Sequence, residues 1–76
     1  MKKCFALQVL GRNIKETRKD KGLSQENLAL EAEVDRAYVG RVERGERNVT
    51  ILSLIKISGA LGVSLSQLVE GVENEN

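Results

Sequence analysis

Arg36, Arg41 and Arg44 recur at a spacing that, on an α-helix, sets them along one side together with Ala37 and Gly40. A guanidinium is a planar fork of N–H donors, a shape that meets O6 and N7 of guanine in pairs and also fits phosphate oxygens. Small residues at 37 and 40 let the helix backbone come close to base edges. The chemistry in prospect is recognition of double-stranded DNA through the major groove, with Arg36, Ala37, Gly40 and Arg41 facing bases. The plainer reading, three arginines on a solvated helix face, stays open on the residues alone.

Other chemistry is poorly supplied. The chain has no His and one cysteine, Cys4, which excludes a Cys/His zinc cluster and an internal disulfide and leaves Cys4 as an inert thiol. There is no glycine-rich phosphate loop and no carboxylate pair in an evident apolar cleft. No catalytic residue, metal, cofactor or small-molecule ligand is therefore expected, and the chain does not read as an enzyme. No window approaches the ~20 apolar residues of a membrane span. The stretch from Met1 to Leu10 is interrupted by Gln8 and runs into Gly11-Arg12, which argues against a signal peptide. A soluble, cytoplasmic protein is expected.

The formal charge of +1 hides a strong pattern. Residues 1–22 carry seven Lys/Arg against two acids, residues 23–35 carry four acids and no base, and residues 36–47 carry four Arg against two Glu. A fold that joins the two basic segments acquires a cationic face, while the acidic remainder lowers the total without cancelling it.

The elements that must position the arginines follow from periodicity and punctuation. With 76 residues, 41% of them hydrophobic, no proline and only Phe5 and Tyr38 aromatic, the chain suits one all-α domain. Leu7, Leu10 and Ile14 predict a helix over 6–21 that Gly22 stops. Ser24 caps a short helix over 25–32, Glu33-Val34 form a turn, and Asp35 caps a third helix over 36–44 with Val39 and Val42 inward. Thr50 opens a helix over 51–61, and Ser64 with Gln67 reads as a capping box for a last one over 65–70. The core spans about 6–70, with residues 71–76 a frayed acidic tail. Two short helices joined by about three residues are a geometry that offers the second helix to a groove.

The strings Leu23-Ser24-Gln25-Glu26-Asn27-Leu28-Ala29, Val34-Asp35-Arg36-Ala37-Tyr38-Val39, Glu43-Arg44-Gly45 and Ala60-Leu61-Gly62-Val63-Ser64 resemble, in order, the phage-repressor-like (Cro/Xre) helix-turn-helix family. The resemblance covers roughly residues 9–70 and implies a compact five-helix, lambda-repressor-like DNA-binding domain. Within that family Asp35-Arg36-Ala37-Tyr38 and Glu43 to Thr50 look like the controller proteins of restriction–modification systems, small dimers that bind palindromic operators. Another stand-alone Xre-type repressor, or an antitoxin-like protein-interaction module, is the alternative.

Carried over position by position, the resemblance implies that Gln25, Tyr38, Arg44, Arg47 and Asn48 lie along the DNA backbone. It also implies that Arg18 and Glu43 form a structural ion pair. Gly40 stands where controller proteins often have Ser, so no hydroxyl contact is expected there. Ile55, Leu65, Leu68 and Val69 exceed what so small a core requires and are expected to form a two-fold interface, with Phe5 at the core or the dimer edge.

Overall fold

A computed structural model describes residues 4–73. It is all-helical there: α1 (Phe5–Asp20), α2 (Gln25–Ala32), α3 (Arg36–Glu43), α4 (Ile51–Leu61) and α5 (Leu65–Leu68). The first three residues of the Met1–Leu10 stretch and the last three of the acidic tail lie outside the described residues.

The helix ends are set by side chains and glycines. Ser24 Oγ accepts from the Asn27 amide at 3.0 Å and Thr50 Oγ1 from the Ser53 amide at 3.1 Å, each satisfying a donor that the first turn leaves free. At Ser64 the capping box closes both ways: the Gln67 amide donates to Ser64 Oγ, and the Ser64 amide to Gln67 Oε1. Asp35 departs from expectation. Its backbone is extended and its carbonyl accepts from the Val39 amide at 3.1 Å, but its carboxylate takes no capping hydrogen bond. That side chain stays in solvent and acts on α3 only through its charge near the positive end of the helix dipole.

α1 ends at Asp20 because Gly22 turns left-handed at φ 73°, and the Leu23 amide reaches back to the Arg18 carbonyl at 3.0 Å. The same arrangement ends α3 one residue short of the expected range, with the Glu46 amide donating to the Arg41 carbonyl at 2.9 Å. After α2 the left-handed residue is Glu33, at φ 59°. α5 stops at Leu68, two residues early.

α1 packs on α3 and α5, α2 packs on α3 and α4, and α5 closes against α4. Ile14, Leu28, Val39, Val42, Ile57 and Leu68 are the largest fully buried side chains, so every helix supplies the core. Each such side chain contributes roughly 1.5–3 kcal/mol of apolar burial. Asn13 ties α1 to the end of α5 and the segment after it, donating through Nδ2 to the carbonyls of Leu68 at 2.9 Å and Glu70 at 2.8 Å.

α1 and α3 meet backbone to backbone at Gly11. A Cβ there would overlap the Val42 carbonyl oxygen and lie 2.6 Å from that of Glu43. The sequence reading gave Gly11 no role, although a glycine inside an amphipathic helix often marks such a close approach.

Candidate nucleic-acid interface

α3 is short, and its inward side is set by Val39 and Val42, both almost wholly buried. With that side fixed, Arg36, Ala37 and Arg41 are exposed on the other, and neither Arg36 nor Arg41 pairs with an acid among the described residues. Two guanidinium forks with only Ala37 and Gly40 between them on that side thus protrude from the second helix of a helix-turn-helix, separated from α2 by the turn at Glu33 to Asp35. This is the geometry in which base edges of the major groove can be met.

The strip is less bare at its centre than the sequence alone implies. Gly40 is buried, because side chains from elsewhere lie over it. A Cβ at Gly40 would sit 3.3 Å from Arg44 Nη1 and 3.7 Å from Gln25 Oε1. Arg44 is exposed and paired through Nε with Glu46 at 3.2 Å, a partner that the sequence reading did not name.

Behind the strip lies a buried polar network. Arg18 on α1 donates from Nε to Glu43 Oε2 at 2.6 Å and from Nη2 to Glu43 Oε1 at 3.1 Å, a two-pronged pairing across α1 and α3. Arg18 Nη1 also donates to the Leu23 carbonyl at 2.9 Å. Gln25 Nε2 on α2 donates to Glu43 Oε1 at 2.9 Å. One carboxylate therefore holds three helices, and Gln25, placed at the DNA backbone by resemblance, is already half engaged. Its amide keeps a second N–H for an outside acceptor.

The remaining backbone candidates cluster near the end of α3. Tyr38 is half-buried against the core, the Arg47 guanidinium lies over its ring at 5.7 Å from the centroid, and Asn48 is exposed. The cation–ring contact gives the loop after α3 a fixed basic point.

The expected two-fold face changes composition. Leu68 is fully buried in the core, because α5 turns it inward against α4, so it cannot serve an interface. Leu65 and Val69 are half-buried against the same core. Ile55 is 51% exposed, and it is joined by Ile51 at 58% and Leu52 at 68%, two residues the sequence reading left out. Phe5 is exposed rather than core. Among the described residues no helix is long and apolar enough to cross a membrane.

Comparison with known proteins decides the family. Residues 14–68 match the helix-turn-helix family model. The chain belongs to the phage-repressor-like helix-turn-helix family. As a helix-turn-helix protein it is a DNA-binding transcription regulator and not an enzyme. It is similar to the control protein C.MunI of Mycoplasma sp, 44% identical over 66 residues that cover 86% of this chain and 89% of the relative. The control protein C.SmaI of Serratia marcescens is 41% identical over 70 residues, covering 90% and 83%. Among solved structures, the restriction-modification controller protein C.AhdI from Aeromonas hydrophila superposes with a TM-score of 0.81 at 45% identity, covering 82% of this chain and 94% of that one. This helix-turn-helix domain is therefore similar to controller proteins in both sequence and backbone.

Proposed function

We propose that this chain is a restriction–modification controller protein: a cytoplasmic homodimer that binds a palindromic operator in double-stranded DNA. The observation that carries the reading is the pair of exposed guanidinium groups, Arg36 and Arg41, on the outward side of α3, with no acidic partner among the described residues. In the bound state they read base edges beside Ala37 and Gly40. Gln25, Tyr38, Arg47 and Asn48 meet the phosphates on either side, where amide, hydroxyl and guanidinium donors fix register without reading sequence. Two copies place their α3 helices about one turn, ~34 Å, apart.

The experiment is a comparison of one variant on two DNAs. Arg36→Ala weakens binding to an operator selected from random duplexes by roughly ten- to a hundredfold, and weakens binding to unrelated duplex far less, as measured by fluorescence anisotropy. Equal loss on both would reduce Arg36 to a phosphate contact and remove the basis of the reading.

The dimer has its own support. Ile51, Leu52 and Ile55 share one side of α4, opposite the buried Leu54, Ile57 and Leu61, and an exposed apolar group of this kind marks a contact surface. Gly59 falls on the same side with nothing among the described residues within 4 Å of its would-be Cβ, so none of their contacts calls for a helix-weakening glycine there. Ile55→Lys therefore raises the dimer dissociation constant at least about tenfold in sedimentation equilibrium, from the loss of a buried side chain and the burial of a charge. An unchanged constant would move the interface off α4.

A further inference from the structure

We infer that Arg44 is a third base-reading residue, delivered across Gly40 and oriented by Glu46, and not a backbone contact. The inference rests on the proposal that α3 enters the major groove.

Two observations carry it. The first concerns Gly40. A glycine inside an eight-residue helix weakens it relative to alanine, because it has more backbone freedom to lose on folding. Nothing in the fold demands that loss, since the atom nearest a Cβ at Gly40 is the movable tip of Arg44, at 3.3 Å. Gly11 is the contrast, where backbone oxygens forbid any side chain. What Gly40 provides is a flat place on α3 over which another side chain can lie.

The second observation concerns what lies there. Arg44 follows the last residue of α3, and its guanidinium turns back toward the N-terminus to cover Gly40, one turn earlier, in the direction long helical side chains favour. Its Nε lies 3.2 Å from Glu46 Oε2, an ion pair without a hydrogen bond. An exposed ion pair contributes little to stability. It does place a carboxylate beside the Nε side of the guanidinium. The Nη edge is thereby the one left for an acceptor pair such as O6 and N7 of guanine. Position 40 has no side chain of its own to read a base, and Arg44 supplies one at that point of the strip.

The test uses the full chain and duplexes selected from a random pool by the wild-type protein, with affinities measured for every single-base-pair change in the selected half-site. Arg44→Ala is expected to flatten the preference at one or two base pairs by roughly ten- to a hundredfold, leaving the preferences set by other residues in place. Arg44→Lys keeps the charge, lacks the fork and gives the same local flattening. Gly40→Ala raises the melting temperature by roughly 4 °C, because the helix gains a better former, yet erodes the preference at the same base pairs by lifting the guanidinium off α3.

If Arg44→Ala weakens every duplex by one common factor and Arg44→Lys restores it, Arg44 is a phosphate contact and the inference is overturned, while the DNA-reading function stands. A selection that yields no consensus at all overturns that function and this inference together.

Discussion

Glu43→Ala is expected to remove about 3–5 kcal/mol of folding stability, the loss typical of leaving one member of a buried ion pair without its partner. A domain of this size holds only some 5–15 kcal/mol in total, so the variant sits near its unfolding threshold at room temperature. The cause is specific. Arg18 is only 7% exposed, and without the carboxylate its Nε and Nη2 lose both acceptors in a place where little water is at hand to replace them. Urea unfolding followed by circular dichroism measures the loss. Replacing both members, Arg18→Met with Glu43→Leu, is expected to recover much of it, because burying apolar groups in place of the pair removes the desolvation cost. A single variant that loses less than about 1 kcal/mol would show that solvent enters the network freely. Gln25 is a second reporter, since its amide also donates to Glu43. The double variant, though stable, should bind DNA more weakly than the wild type because nothing then orients that amide.

Gly11→Ala is the other large effect, and its sign opposes what helix propensity alone dictates. Alanine favours a helix over glycine by about 1 kcal/mol. At Gly11 the added methyl meets the carbonyl oxygens of Val42 and Glu43, backbone atoms that cannot rotate aside. α1 and α3 must separate, and overpacking of this kind costs about 3 kcal/mol or more. The expected net result is a drop in melting temperature of roughly 10 °C or more, weaker DNA binding and intact helical content at low temperature. The identical substitution at Gly40 should raise the melting temperature, so the two variants measured side by side separate a steric requirement from a recognition requirement. If both move the midpoint the same way, the close approach of α1 and α3 is looser than the distances state.

Much of the fold was legible because its boundaries are written in side chains. α2 and α4 begin and end at the expected residues, since Ser24 and Thr50 are caps whose hydroxyls sit within bonding reach of the amides they serve. The outward side of α3 was legible for a related reason: Val39 and Val42 settle which side is in, and the rest follows from helix geometry. What escaped the sequence depends on residues far away along the chain. Gly40 is covered by Gln25 and Arg44, and no local pattern states that a glycine on an outward strip will be buried. Leu65, Leu68 and Val69 fall in or beside a four-residue helix, too short for periodicity to say which one turns inward. Leu68 did, and the exposed apolar groups beside the expected Ile55 are Ile51 and Leu52, which read from sequence as an ordinary helix start. The bond from Gln25 to Glu43 joins helices that come together only when α1, α2 and α3 are assembled.

The outward residues of α3 hold nothing together. Arg36, Ala37 and Arg41 are exposed, and Arg36 and Arg41 contact no acid among the described residues, while the scaffold is secured from behind by Glu43 and from below by Val39 and Val42. Substitutions along that outer row therefore leave folding nearly untouched. A lineage carrying this domain can drift from one target site to another by exchanging a few surface letters, without first acquiring a sturdier protein.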